Sequence, residues 1–230
     1  MNKDGIFEIA LFPIPGCVSF PQTIVPLHVF EPRYRQMIED CVEKNMLLGV
    51  CHTKSIERFA ARQTTEIKTK EELYQMYKQN LTTFSPEDIF SAGMVTVTDE
   101  TEDGRYMVNI QMLKRFRIIE LLQNKPYKIG MCEEYRDNHY IRFESATEKA
   151  QLQRNVILDF LKLQLSKFDG AADSELEEIL KEETVNDFTF KLFKFYRLPE
   201  FQMQQILNSK NPIERLSILY QFTEELKKQA

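Results

Sequence analysis

The pattern of apolar and polar positions changes character near residue 143 of this 230-residue chain. Before that point, short runs dominate. "FEIALFPI" (7–14), "VPLHVF" (25–30) and "MLLGVC" (46–51) predict extended segments, and "AGMVTVTDE" (92–100) and "YMVNIQML" (106–113) predict an alternating pair. A period of two marks strands with one face in a core. Asp103-Gly104 between the last two is a hairpin signal. "RFRIIELL" (115–122) and "YKIGMCEEY" (127–135) predict another pair, joined through "QNKP".

Prolines complicate the strand reading. Five of the nine, Pro13, Pro15, Pro21, Pro26 and Pro32, fall within twenty residues. Proline lacks a ladder donor, so it fits a strand only at an edge or at the first residue. The pattern therefore implies irregular, sharply turning opening strands. Pro32 has another role: "EPRYRQMIEDCVEKN" (31–45) sets Tyr34, Met37, Ile38, Cys41 and Val42 at helical spacing. Pro32 then occupies the first helical position and Asn45 the far end.

Residues 53–92 interrupt the strand pattern and read as a charged, partly helical insertion. Thr69 with Glu72 is a capping-box signature, and Ser85-Pro86 repeats the logic of a helix start. Beyond Ser145 the period becomes helical. "ATEKAQLQRNVILDFLKLQLSKF", "SELEEILKEE", "VNDFTFKLFKFYRL", "PEFQMQQILN" and "NPIERLSILYQFTEELKKQ" predict a bundle of four or five helices, the last opened by Asn211, Pro212 and Glu214. The fold class is α+β, with a β subdomain over 1–143 and a helical bundle over 144–230.

Composition adds mainly exclusions. Hydrophobic residues make up 43%, charged residues 28%, and the net charge is −5, without the basic footprint of a nucleic-acid binder. "KRFR" (114–117) is the one local basic cluster, and it reads as exposed strand charges around an inward Phe116. No apolar run approaches the roughly 18 residues of a membrane span, and the N-terminus lacks a signal-peptide pattern, so the chain is read as cytoplasmic. Four scattered cysteines, Cys17, Cys41, Cys51 and Cys132, offer neither a disulfide framework nor a zinc spacing. No phosphate loop, dinucleotide fingerprint, nucleophile elbow or zincin motif is present, so no catalytic residue, cofactor or metal ligand is assigned. Cys51 and His28 are the only footholds for a hydrolase. Cys51 and His52 are strand neighbours that point to opposite faces.

Two features bear on binding. Glu31 and Arg33 meet at a strand-to-helix junction, with Arg35, Arg115 and Arg117 as further cations. They read as a structural ion pair or as the rim of a groove. Phe188, Phe190, Phe193, Phe195, Tyr196 and Phe201 make one segment apolar on more than one side, which fits either a sandwiched helix or a partner surface.

"LFPIPGCVSFPQTIVPLHVFEPRYRQMIEDC" (11–41), then "LLGV", "AGMVTV", "DGRYMVNIQMLKRFRI" and "LPEFQMQQILNSKNPIERLSIL", closely resembles the Lon N-terminal, substrate-binding domain family, above all its stand-alone bacterial members. The resemblance implies a PUA-like β pseudo-barrel followed by an α-helical bundle. It sets 53–92 apart as an insertion, since the family usually uses a shorter loop there. The sequence ends at Ala230, so the resemblance implies a module without Lon's ATPase and Ser–Lys proteolytic parts.

The function so implied is non-enzymatic recognition of unfolded or extended polypeptide, with a protease or chaperone as possible collaborator. The residues expected to touch such a peptide are Phe20, Pro21, Phe30, Tyr34 and Phe116. Glu31, Arg33 and Arg115 are the ion-pair candidates. RNA binding by a PUA-like barrel and a Cys/His hydrolase are the rival readings.

Overall fold

The computed structural model describes residues 5–58, 82–165 and 173–229. It falls into two compact units, Met1–Tyr135 and Arg136–Ala230. The helix expected from Thr69 lies outside the described residues.

The first unit contains strands β1 (Ile6–Pro13), β2 (Ile24–Val29), β3 (Leu47–Cys51), β4 (Thr53–Arg58), β5 (Thr83–Pro86), β6 (Ile89–Glu100), β7 (Tyr106–Gln123) and β8 (Lys128–Glu134), with helix α1 (Pro32–Glu43) between β2 and β3. The main sheet runs β2-β7-β6-β3-β1-β8 and closes through β7–β8. β1 and β3 pair in parallel, and every other pairing is antiparallel.

The two runs expected on either side of Leu113 form one strand of 18 residues, β7. That length lets it serve two neighbours on the same edge. Its first half pairs with β2 and its second half with β8, while β6 runs along the opposite edge. The Thr101–Arg105 turn between β6 and β7 holds Gly104 at φ 73°, the left-handed geometry that favours glycine there.

Ser85 and Pro86 correct an expectation. They do not open a helix but lie in β5, paired to Ser55 and Thr53 of β4. A Ser-Pro pair suits a strand end as well as a helix start, because proline costs nothing where its missing N–H meets no ladder partner.

Strands β1 and β3 are buried on both faces. Ile9, Leu11 and Cys51 pack with Phe90, Ala92, Phe116 and Cys132. Ala10, Leu48 and Val50 pack instead with Val108, Ile110, Met112, Tyr127 and the Tyr34, Met37, Ile38 and Cys41 face of α1. Each fully buried apolar side chain contributes about 1.5–3 kcal/mol of gross transfer free energy, so α1 is held to the sheet mainly by these four. Asn45 ends the helix in the left-handed conformation at φ 51°.

The second unit opens with a 3-10 turn (Phe143–Ser145), followed by α2 (Glu148–Leu165), α3 (Asp173–Leu180), α4 (Val185–Lys191), a second 3-10 turn (Leu192–Lys194), α5 (Glu200–Asn208) and α6 (Pro212–Gln229). Thr184 caps α4 by accepting from the Asp187 N–H, and Asn211 caps α6 by accepting from the Ile213 N–H. The aromatic segment is mostly core: Phe188, Phe190, Phe193 and Tyr196 are buried, whereas Phe201 on α5 is 79% exposed.

Candidate functional site

The site is built on the β2–β7–β6 part of the first unit. Residues Val25, Leu27 and Val29 of β2 and Val108, Ile110 and Met112 of β7 face the cluster that receives α1. The pleat sends the alternate residues to the opposite face. There the register aligns Ile24 with Gln111 and Met94, Pro26 with Asn109 and Thr96, and His28 with Met107 and Asp99. Ile24 is 58% exposed and Met107 39%; Pro26, His28, Thr96, Asn109 and Gln111 are also exposed, and Met94 is half-buried. Apart from Asp99, which is exposed, none of these nine residues is an Asp, Glu, Lys or Arg, on a chain in which those types make up 28% of residues. Just beyond β2, Phe30 is 47% exposed, and its ring meets that of His28 edge-on at 6.2 Å.

The helix on the other side of the sheet is tethered by polar contacts at three points. Arg35 Nη1 donates to the carbonyls of Asp103 and Gly104 in the β6–β7 turn, at 3.1 and 2.7 Å. The Tyr106 hydroxyl donates to Glu39 at 3.0 Å, a bond that raises the tyrosine's pKa. The Tyr127 hydroxyl donates to Asp40 at 2.6 Å. The strands bearing the exposed face are thus held from behind.

Glu31 and Arg33 form the expected ion pair, with Arg33 Nη2 2.8 Å from Glu31 Oε2. Arg33 also donates to the Thr82 carbonyl at 3.1 Å and lies over the Tyr34 ring at 4.4 Å. Arg115 is buried, with its guanidinium 5.1 Å above the Tyr135 ring. The other cations of "KRFR" are matched by carboxylates across the ladder: Lys114 by Glu134 and Arg117 by Glu133.

The residues expected to touch a peptide are not brought together on a surface. Phe20, Pro21, Tyr34 and Phe116 are buried, and Phe30 alone of the five is exposed. This corrects the expectation for the four: Tyr34 belongs to the α1 core and Phe116 stacks edge-on against Phe7 at 5.4 Å. Phe20 and Pro21 lie in the irregular segment between β1 and β2, which folds inward, whereas Tyr34 and Phe116 sit on the core-facing sides of α1 and β7. The outward positions in the first half of β7, Met107, Asn109, Gln111 and Leu113, are the residues that sequence reasoning passed over. Their signal was alternation over 106–113 with no charge at the outward positions.

Cys51 is fully buried, and burial pushes its thiol well above the ordinary cysteine value. A nucleophilic thiolate needs the opposite shift. Gly16 N donates to His52 Nδ1 at 3.2 Å, which engages that ring in loop geometry. Among the described residues no group of His, Cys, Asp and Glu has metal-site geometry, and no helix is long and apolar enough to cross a membrane.

The sequence profile of the ATP-dependent protease La (LON) substrate-binding domain matches residues 8–225. The chain belongs to that family. It is 22% identical over 207 residues to Lon protease 1 of Herpetosiphon aurantiacus and 24% identical over 158 residues to the Lon protease of Dictyoglomus thermophilum. The matches cover 87% and 67% of this chain but 22% and 16% of those proteins' own lengths. Two solved structures share the fold. A Lon N-terminal domain protein from Xanthomonas campestris aligns at a TM-score of 0.59 and 17% identity, over 92% of this chain and 96% of that one. The N-terminal domain of the Mycobacterium avium complex Lon protease aligns at 0.63 and 12% identity, over 94% and 98%. The family match falls on the substrate-binding region of Lon, so the α+β fold of this chain is that of Lon N-terminal domains.

Proposed function

We propose that this chain is a non-catalytic module that recognises unfolded or extended polypeptide, acting in the cytoplasm alone or beside a protease or chaperone. One observation carries the reading: the exposed outer face of β2, β7 and β6, uncharged apart from Asp99 at its Met107 end and anchored at that end by Phe30. Exposed surface of this kind, held by a helix packed behind it, suits side chains that leave water without demanding an ion partner. Family membership supports the same reading, because the matched region is by description a substrate-binding one. The paired charges of "KRFR" weigh against RNA, and the raised Cys51 thiol weighs against a cysteine hydrolase.

The test is fluorescence anisotropy with labelled peptides. The panel contains acetyl-Ser-Val-Thr-Val-Thr-Val-Ser-amide, an acidic and a basic peptide of the same length, and a structured RNA, at low and high salt. Saturable binding of the uncharged peptide, little changed by salt and weakened about tenfold by Ile24→Glu or Asn109→Glu, is the expected result. A charged face member adds a desolvation cost of the order of 1–3 kcal/mol, which is about that factor or more. Binding of RNA alone, with a steep salt dependence, would overturn the reading.

A further inference from the structure

Resting on that reading, we propose how the polypeptide sits: as an added strand on the open edge of β2, in a register set by Pro26. The geometry comes from the start of β2. Gln22, at φ 65°, donates to the Met112 carbonyl at 2.9 Å, and Met112 donates to the Thr23 carbonyl at 2.9 Å. This is a bulge in which two residues face one, with the first in the left-handed conformation. From it the antiparallel alternation turns the backbone groups of Val25, Leu27 and Val29 toward β7. Those of Ile24, Pro26 and His28 then point to the other edge, where β2 has no strand partner among the described residues. Pro26 fits independently, since a proline in a ladder must turn its missing N–H away from the neighbour.

The open edge therefore offers three carbonyls but only two N–H groups, at Ile24 and His28, about 14 Å apart at 3.4 Å per residue. Unpaired backbone of this kind calls for an extended chain rather than a helix or a small ligand. The face beside it, uncharged apart from Asp99 at its Met107 end, favours an uncharged segment. Pro26 blocks one bond in the middle of the edge, so promiscuous edge-to-edge pairing is weakened while a short peptide still has both ends to hold.

The experiment uses the uncharged peptide above in two further forms, with alternate amides N-methylated in one phase or in the other. Strand addition turns one phase of amides toward β2. One form should lose binding at least tenfold while the other stays within about threefold of the parent. The Pro26→Ala variant adds an N–H to the edge, and the parent peptide should bind it at least threefold tighter. Equal loss in both phases, with no gain in Pro26→Ala, overturns strand addition but leaves polypeptide recognition standing. No binding of the parent or of any other peptide in the panel overturns both.

Discussion

Arg215 and Asp137 form a buried two-pronged ion pair, Nη1 to Oδ1 at 2.6 Å and Nη2 to Oδ2 at 2.8 Å. Arg215 is fully buried, donates from Nε to Thr189 at 3.1 Å and from Nη1 to the Ser209 carbonyl at 3.0 Å, and lies 4.2 Å over the Phe190 ring. Asn186 adds a bond to Asp137 at 2.7 Å and another to the His139 carbonyl at 2.8 Å. The segment that opens the second unit is thereby fastened to α4 and α6. Removing one member leaves a buried charge without its partner, which costs about 3–5 kcal/mol. Arg215→Met is expected to destabilise by that amount, and Arg215→Met with Asp137→Leu by clearly less. Urea unfolding followed by circular dichroism reads both. Equal losses in the single and double variants would mean that packing, rather than the unpaired carboxylate, sets the cost.

Asp40 links pH to the anchoring of α1. Lys44 first, and Tyr127 next, hydrogen-bond to its carboxylate and hold its pKa below the ordinary value. A carboxyl with a lowered folded pKa contributes stability that is present above its unfolded pKa of about 3.9 and is lost as pH falls through the folded value. Tyr127→Phe removes one bond to that charge, worth about 1–2 kcal/mol at a partly exposed site. The gap between wild type and Tyr127→Phe is expected to be full near pH 7 and to shrink below about pH 3. Denaturant midpoints at the two pH values check this; an unchanged gap would detach the bond from the ionisation of Asp40.

Much of this architecture is legible in the sequence because local signals agree with it. Pro32 starts α1, Asn45 ends it, Asn211 caps α6, and Asp103-Gly104 turns β6 into β7. Placement of side chains in three dimensions is less legible. Phe20 looks like an exposed anchor in sequence, but which residues close into the barrel depends on strand pairing and alternation far along the chain. The bulges in the β6–β7 ladder, one at Gly93 and Leu113 and one between Val97 and Asp99, shift that alternation, and no local propensity announces them. Pro26 is the converse case: its chemistry requires an outward backbone, and the ladder obliges.

The four thiols differ in access. Cys17 is half-buried, whereas Cys41, Cys51 and Cys132 are buried. Burial pushes Cys41 and Cys132 up to about 12 and Cys51 well above its ordinary value. Native protein treated with Ellman's reagent near pH 8, just below the free-cysteine pKa of about 8.5, is expected to show one fast thiol, Cys17. The other three should appear only on unfolding. A second fast thiol assigned to Cys51 by mass spectrometry would return the hydrolase reading to contention.

Two glycines separate a soft constraint from a hard one. A Cβ at Gly49 would stand 2.2 Å from the Phe90 ring, and one at Gly93 would stand 1.8 Å from the Gln111 carbonyl oxygen. A ring inside a core can tilt, at the usual overpacking cost of about 1–3 kcal/mol. The Gln111 carbonyl belongs to the backbone of β7 and moves only if the β6–β7 ladder moves with it. Gly49→Ala should therefore fold with a lowered denaturation midpoint, while Gly93→Ala should lose considerably more and disturb the face that carries Met94 and Gln111. Measured in parallel, Gly49→Ala should keep its affinity for the uncharged peptide at temperatures where it is folded. Gly93→Ala should lose affinity even where circular dichroism reports a folded chain. If both variants bound the peptide as wild type does, the β6–β7 part of the face would have no role in recognition.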